Sequence, residues 1–594
     1  MLKKILCLVA FAAAFAGAFL PGSIAQSQTS DGVIVEHNVA MKTRDGVTLY
    51  ADVYRPAGAE SLYVLLKRTP YDKSRDEALG TKMAKRGYLV VIQDTRGRYT
   101  SEGEWYPFKH EINDGYDAVE WASALPHANG KVGMFSGSYV GATQMLAAIA
   151  RPPHLAGICP VVTASNYHAN WTYQGGAFEQ WFDESWTTGL AQDTANRALK
   201  DASNALEGAK ALPLTQYPVF NVQAADGTKL TRELAPYFLD WLAHPNYDGY
   251  WKQWSIEENY GNIQVPALVI SAWYDLFQGG SIRNYLGIRA HGGTEAARTK
   301  TQLVVAIGGH SGFGRKVGEL DFGPDAAFDE DAITLDWYDY LFKGKQNQFA
   351  NGKLVKIFVM GENKWRDEAN WPLERTQETR YSLHSDGKAN SAAGDGVLSI
   401  VASRNEAADS YVYDPANPVP TVGGPLCCDT LHLAPGPRDQ SQVEARPDVL
   451  VYSTPPLDRD TEVTGPITLD LYAKSSAVDT DFTGKLVDVG PDGKAYNLTE
   501  GILRARYRES MEKPTPIVPG KIYEYKIDLW STSNVFLKGH RIRLEVSSSN
   551  FPRFDRNLNT GKSAAESAEF VKATNTILHD SEHPSAVILP IIPR

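Results

Sequence analysis

The stretch GKVGMFSGSYVGATQMLAAIA, residues 130–150, passes from an apolar run to an alanine-rich run through Ser136-Gly137-Ser138-Tyr139. Lys131 to Phe135 reads as a strand and Val140 to Ala150 as a helix, so the residues between must turn the chain sharply. A serine in that turn is either loop punctuation or a nucleophile held clear of its neighbours. Ser138 sits at the apex, and the next N–H, that of Tyr139, opens a helix N-terminus, where an oxyanion is well received. The generic pattern for such a turn, Gly-x-Ser-x-Gly, is only partly met: Ser136 stands two before Ser138, Val140 two after and Gly141 three after. Ser136, Gly137 and Gly141 still supply the small side chains that a close strand-to-helix approach requires.

A hydroxyl is a poor nucleophile at neutral pH and needs a base, a carboxylate to orient that base, and donors for the developing oxyanion. Four unbroken apolar runs frame the search: LYVLLK from Leu62, GYLVVIQ from Gly87, VPALVISAW from Val265 and QLVVAIG from Gln302. Each reads as a strand buried on both faces, and helical patterns such as Asp114 to Leu125 and Ala142 to Ala150 lie between strands, which predicts an α/β domain. In such sheets the loops beyond the strands' C-terminal ends meet the ligand. Asp275 stands just past the third run and His310 just past the fourth; of the 13 histidines, His310 alone follows such a run there. An isolated histidine is usually structural, but the order Ser138, Asp275, His310 is that of the α/β-hydrolase layout. Beyond the first run, Tyr71 follows Pro70 and offers a phenol as a second oxyanion donor beside Tyr139 N–H. A surface-loop tyrosine is the bland alternative.

Residues 166–256, opening with the aromatic-rich NYHANWTYQGGAFEQWFDESW, interrupt the strand series and predict a helical insertion over the sheet's C-terminal edge. From about residue 355 the pattern alternates with period two, as in ITLDLYAK (467–474) and HRIRLEVSSS (540–549), which predicts an antiparallel β-sandwich. The expected organisation is an α/β domain in two parts (30–165 and 257–350), a helical cap (166–256) and a β domain (355–594), with the border in the polar stretch 344–354. Residues 1–25, with Lys3 and Lys4 before an apolar run and small residues at Ser23 to Ala25, read as a secretory signal peptide. The product is thus expected to be secreted or periplasmic, with no membrane span after cleavage.

The composition, 43% apolar and 22% charged with a net charge of −11, is that of a globular protein and leaves no basic stripe for nucleic acid. Beyond the leader remain Cys159, Cys427 and Cys428; the last two are adjacent, closer than ordinary disulfide geometry spans, so two thiols are the plain reading and a strained bridge, which an export compartment would permit, is the alternative. No His-Glu-x-x-His or comparable ligand spacing occurs, so neither metal nor cofactor is expected. The expected partner is a small-molecule ester or amide; a homo-oligomer is left open.

Several longer stretches, among them MKTRDGVTLYADVYRP, KRTPYDK, VIQDTRGRYTSEGEW, GMFSGSYVGATQ, AWYDLF, LDWYDYLFKG and GHRIRLEVSSSNFPRFDRNLNTG, resemble the CocE/NonD hydrolases. That group contains the cocaine esterases and α-amino acid ester hydrolases and is related to the X-Pro dipeptidyl peptidases. The resemblance runs from about residue 35 to about 565. It implies an α/β-hydrolase domain with an inserted helical cap and a C-terminal β jelly roll. It also implies Ser138 as nucleophile, Asp275 and His310 as its partners, and Tyr71 hydroxyl with Tyr139 N–H as the oxyanion hole. Departures stand at Ser136, where the group usually has Gly, and at IGGHSGFG around His310, in place of Pro-Trp-x-His. The acidic residues that follow the triad Asp in amino acid ester hydrolases are missing, since Asp275 is followed by Leu276-Phe277-Gln278-Gly279-Gly280. YDLF is nearer the cocaine esterase pattern, which implies Phe277 as a wall of an apolar acyl pocket; the cap aromatics Trp171, Trp181 and Trp186 are further candidates. The implied activity is ester hydrolysis, with amino acid ester hydrolase, β-lactam acylase or X-Pro dipeptidyl peptidase activity as the alternative. From another class, a catalytically silent glycan-binding protein is the weaker reading.

Overall fold

Among the described residues, eleven of the twelve strands in the larger sheet are accounted for by two rules, parallel pairing in the middle and antiparallel pairing at the flanks, where Ser27–Ser30 is outermost on one side. The structure, a computed structural model, describes residues 27–195, 210, 212–216, 231–232 and 234–594; the leader expected at 1–25 lies outside them. Leu89–Asp94, Leu62–Thr69, Ala128–Gly137, Leu155–Val161, Leu268–Tyr274, Gln302–Gly309 and Val355–Val359 lie side by side in that order, all parallel. Val33–Lys42 and Thr48–Pro56 extend one flank, and Lys364–Glu368 closes the other, antiparallel.

Every residue of Leu89–Asp94, Leu268–Tyr274 and Gln302–Gly309 is buried, as continuous apolar runs require when helices cover both faces. Alternate side chains split between two cores: Leu65, Val90, Phe135, Ile270 and Val304 on one face, and Leu66, Val91, Met134, Val269 and Val305 on the other. The helix Glu330–Lys343 covers the first face, and the Tyr338 hydroxyl donates to the Met134 carbonyl in the strand that leads to Ser138. Glu111–Ser123 and Tyr139–Ile149 cover the second.

One expectation is corrected here. The β domain was expected from 355, but Val355–Val359 pairs with Gln302–Gly309, and Lys364–Glu368 pairs back on it. These residues complete the first sheet, because a parallel edge beside Gln302–Gly309 still needed its hydrogen bonds met. The second sheet starts at Gln377–His384 and has eleven strands. Its spine, Thr461–Ser475, pairs with Tyr523–Phe536, Ala573–Leu578 and Ala586–Ile592, and from Gly465 onward buried residues alternate with more exposed ones.

The cap leaves the first sheet after Leu155–Val161 and returns at Leu268–Tyr274, strands that are neighbours through the Val161–Ile270 pair. Its described helices include Gln180–Thr194 and Pro236–Ala243. The β domain clasps the cap through Arg553, a buried guanidinium that donates to Glu500 (2.5 Å) and Gln174 (2.9 Å) and lies 3.4 Å from Glu179. Close approach is obligatory at Gly175, where a Cβ would fall 1.9 Å from the Ile502 carbonyl oxygen.

Of the two readings at 427–428 the structure has the bridge and not the two thiols: Cys427 and Cys428 form a disulfide, with Cα atoms 3.7 Å apart. Cys428 adopts the left-handed region (φ 75°), which brings two neighbouring side chains together where an extended backbone would part them.

The cap helix also carries a buried cost. Both carboxylate oxygens of Asp183 lack a hydrogen-bond partner among the described residues, and the side chain is fully buried. Burial, reinforced by the nearby Glu179 and Glu184 charges, pushes its pKa well above the ordinary carboxylate range. An acid so raised costs nothing below about pH 4, where it is protonated folded or unfolded, and costs more as pH rises past that point. Asp183→Asn should therefore stabilise the protein by about 1–3 kcal/mol at pH 8 and by much less at pH 4, read from denaturant unfolding at both pH values. Destabilisation at pH 8 would contradict an unpaired carboxyl.

Candidate active site

Ser138 lies between the strand Ala128–Gly137 and the helix Tyr139–Ile149 with φ 61° and ψ −130°, a backbone region that non-glycine residues seldom adopt. The surroundings hold it there. Ser138 N–H donates to the Val161 carbonyl (2.9 Å), and the Ser138 carbonyl accepts from Thr163 Oγ1 (2.9 Å). Ser136 is also left-handed, at φ 92°, and its carbonyl accepts from Gln144 Nε2 (2.7 Å), whose Oε1 takes Cys159 N–H (2.9 Å). A non-glycine residue at 136 is thus tolerated because a side chain from the following helix fixes its peptide. Gly141 has no such freedom, since a Cβ would sit 2.7 Å from Thr163 Cβ.

The structure brings Ser138, Asp275 and His310 together. His310 Nε2 is 2.8 Å from Ser138 Oγ, and His310 Nδ1 is 2.6 Å from Asp275 Oδ1. Asp275 is wholly buried, and its second oxygen accepts Phe277 N–H (2.7 Å). Its loop is pressed from the β domain: Gln278 Nε2 donates to the Ser531 carbonyl, and Gln278 Oε1 accepts Ser531 N–H (3.3 Å). The acid's carbonyl-side helix, Gln278–His291, is tied back to the Ser138 turn through Ser281, which exchanges hydrogen bonds with Thr163 (3.1 Å each).

Tyr71 stands two residues beyond the strand Leu62–Thr69, beside the Ser138 strand. Trp186 Nε1–H donates to the Tyr71 oxygen (2.9 Å), which leaves the phenol's own hydrogen free for a third group. Burial raises the Tyr71 pKa; hydrogen bonding with Trp186 and Ser138 and the charge of Arg98 oppose that rise without cancelling it. The phenol therefore stays protonated at neutral pH. Tyr139 N–H belongs to the first helical turn, whose N–H groups have no intrahelical acceptor. The Tyr139 ring is fixed behind the turn: its hydroxyl donates to Glu111 (3.1 Å) and accepts Phe108 N–H (2.8 Å), while Arg68 holds the other Glu111 oxygen (2.5 Å).

A cleft of about 600 Å³ opens on these groups, lined by Ser138, His310, Tyr71, Trp186, Leu190 and Cys428 among others. Of the four expected pocket residues, only Trp186 lines it. Trp181 is turned away: its backbone N–H donates to the Pro552 carbonyl (3.0 Å) and its ring packs on Leu426 and Leu433, because the first turn of the cap helix is anchored on the β domain. Trp171 and Phe277 are buried and stack on each other (4.5 Å between centroids), and Phe277 meets the His310 ring edge-on (5.1 Å). They stand behind the imidazole and hold its plane instead of facing the cleft. No group of three or more side chains suited to a metal ion occurs among the described residues.

Sequence reasoning missed two contributors and one role. Glu111 and Arg68 form a buried ion pair beneath the turn, and Trp186 acts as a donor to Tyr71 as well as a wall. A charge inside the apolar strand Leu62–Thr69 was the available signal for Arg68; nothing local marks Glu111 or the donor role of Trp186, which was expected only as a wall.

Comparison with known proteins gives two family matches: residues 45–312 match the X-Pro dipeptidyl-peptidase (S15 family), and residues 347–588 the X-Pro dipeptidyl-peptidase C-terminal non-catalytic domain. The cocaine esterase of Rhodococcus sp. (strain MB1 Bresler) is 40% identical over 94% of this chain and 99% of its own length. A crystallised α-amino acid ester hydrolase superposes with a TM-score of 0.80 at 26% identity, over 98% of this chain and all of the other. An aminopeptidase from a marine sediment Thaumarchaeota archaeon has the same fold, with a TM-score of 0.81 at 24% identity over 98% of this chain and 99% of its own.

Because His310 reaches Ser138 and not Ser136, a serine-directed phosphonate should label the native protein and the Ser136→Ala variant equally and leave Ser138→Ala unlabelled. Peptide mapping reads the site. Label on residue 136 would move the reactive hydroxyl two positions back.

Proposed function

The chain belongs to the cocaine esterase family of serine hydrolases, the CocE/NonD group, and from that footing we propose that it cleaves acyl esters through an acyl-enzyme on Ser138. The observation that carries the reading is the continuous path from Asp275 through His310 to Ser138, at 2.6 and 2.8 Å, with the Tyr71 hydroxyl at the same rim. Ser138 Oγ attacks the ester carbonyl carbon while His310 Nε2 takes its proton, and Asp275 holds the Nδ1–H tautomer and stabilises the imidazolium. The Tyr71 hydroxyl and Tyr139 N–H receive the oxyanion. His310 then returns the proton to the departing alkoxide as the ester C–O bond breaks, and water, deprotonated by His310, releases the acid along the same path. Activated amides fit the same chemistry, with an amine as leaving group.

Substrate class follows from the charges at the cleft. Asp193 is the one carboxylate lining it among the described residues, and Arg98 lies 3.6 Å from it. A substrate α-ammonium group would find that carboxylate already engaged, and burying a cation without a partner is costly. Trp186 and Leu190, backed by Trp171 and Phe277, instead favour an apolar group. This supports simple esters over α-amino acid esters, β-lactams or X-Pro peptides. The disulfide at Cys427–Cys428 supports the proposed export to a secreted or periplasmic location, since such bridges persist in oxidising compartments. We also propose 369–376 as the border between the α/β and β domains, since neither sheet claims it.

Paired aryl esters that differ only in a free α-amino group decide the substrate class: kcat/KM should be equal or higher without the amine. A tenfold or larger preference for the amine would defeat the apolar reading.

Tyr71→Phe should lower kcat by about 10²-fold or more, the usual cost of one oxyanion donor, and Trp186→Phe by about two- to tenfold, the cost of one neutral hydrogen bond. With its pKa raised, Tyr71 should cause no alkaline loss of rate below about pH 10. An alkaline fall near pH 8 that vanishes in Tyr71→Phe would overturn the donor role.

A further inference from the structure

Arg98 is fully buried yet belongs to neither the triad nor the cleft wall. Its Nε donates to the Pro70 carbonyl (2.9 Å), the peptide that leads directly into Tyr71. Its Nη1 donates to the Leu190 carbonyl (3.1 Å) and lies 3.6 Å from Asp193, both near the C-terminal end of the cap helix Gln180–Thr194. The rings of Tyr99 and Trp105 flank the guanidinium at 5.3 and 5.2 Å, so its plane is held from the sides as well. One rigid, permanently charged fork thus spans the loop that carries Tyr71 and the helix that carries Trp186, whose indole donates to the Tyr71 oxygen. The two contacts close a ring: Arg98 to Pro70, Tyr71 to Trp186, and Trp186 along its helix to Leu190 and back to Arg98.

The position suits the charge. The end of a helix presents carbonyl oxygens and favours a cation, and that stabilises Arg98 without neutralising it. Its charge also reaches the phenol, where it favours a more acidic, stronger hydrogen-bond donor. Leu190 and Asp193 line the cleft, so a substrate that shifts this turn of the cap moves the carbonyl that Arg98 holds.

We infer that Arg98 is a positioning residue for the oxyanion hole: it ties the cap helix to the Pro70–Tyr71 loop and fixes the Tyr71 hydroxyl where negative charge develops. The inference rests on the proposed role of Tyr71 as oxyanion donor. Lysine keeps the charge at 98 but has one compact head that cannot serve both carbonyls; methionine fills the space with neither charge nor donor.

The test is a double-mutant cycle on hydrolysis of an aryl ester, with Arg98→Lys and Arg98→Met each made in the native and Tyr71→Phe backgrounds. Far-ultraviolet circular dichroism checks the fold, and either variant that keeps the native spectrum carries the cycle. In the native background kcat should fall about tenfold or more with KM within about twofold, and in the Tyr71→Phe background the same change should cost less than about twofold. Equal losses in both backgrounds would overturn the inference and leave Tyr71 as donor. A Tyr71→Phe rate equal to native would overturn both. If neither variant keeps the native spectrum, Arg98 serves the fold and not the donor, and the inference falls.

Discussion

Parallel pairing of buried strands is the constraint on which everything else depends. In an antiparallel sheet, successive strand ends alternate between opposite edges, and groups that follow different strands are kept apart. Here Leu62–Thr69, Ala128–Gly137, Leu268–Tyr274 and Gln302–Gly309 all point the same way, so Tyr71, Ser138, Asp275 and His310 emerge on one rim although 239 positions separate the first from the last. Parallel strands in turn need apolar cover on both faces, which explains why their side chains divide into two cores and why the covering helices make specific contacts with the strand leading to Ser138.

The rim is maintained at a cost met by the rest of the molecule. Two successive left-handed non-glycine residues, 136 and 138, flank Gly137, and each has its peptide fixed by a side chain or a neighbouring strand. Charges are buried beneath the turn as the Arg68–Glu111 pair and between cap and β domain around Arg553. Such pairs add little net stability, but removing one partner leaves the other stranded, so they hold geometry firmly. The β domain takes part directly: it grips the loop after Asp275 through Ser531 and the first turn of the cap helix through Pro552.

Much of this was legible in the sequence, for an identifiable reason. Asp275 and His310 each follow a continuous apolar run, and a run of that kind announces both a buried strand and the edge at which it ends. The Ser138 turn was legible from small residues between a strand pattern and a helix pattern. What could not be read depended on contacts distant along the chain. Val355–Val359 alternates weakly and looks like the start of the β domain until its partner at Gln302–Gly309 is known. Trp181 and Trp186 lie on the same helix and look alike; only the anchoring of the first turn to Pro552 decides that one ring meets Leu426 and the other the cleft. The joining of Cys427 to Cys428 likewise required the turned backbone at 428.

The cap departs from and rejoins the sheet at two adjoining strands, linked through Val161 and Ile270. The ends of the excursion are therefore pinned a single strand spacing apart, whatever the length of chain between them. Lengthening a tethered segment raises its closure entropy only logarithmically, so residues can be gained or lost in the roof outside Gln180–Thr194, the helix that touches Tyr71, with little effect on the floor. A lineage with this architecture can redesign what it admits by insertion and deletion in the rest of the roof, while that one helix and the reactive rim beneath it are inherited unaltered.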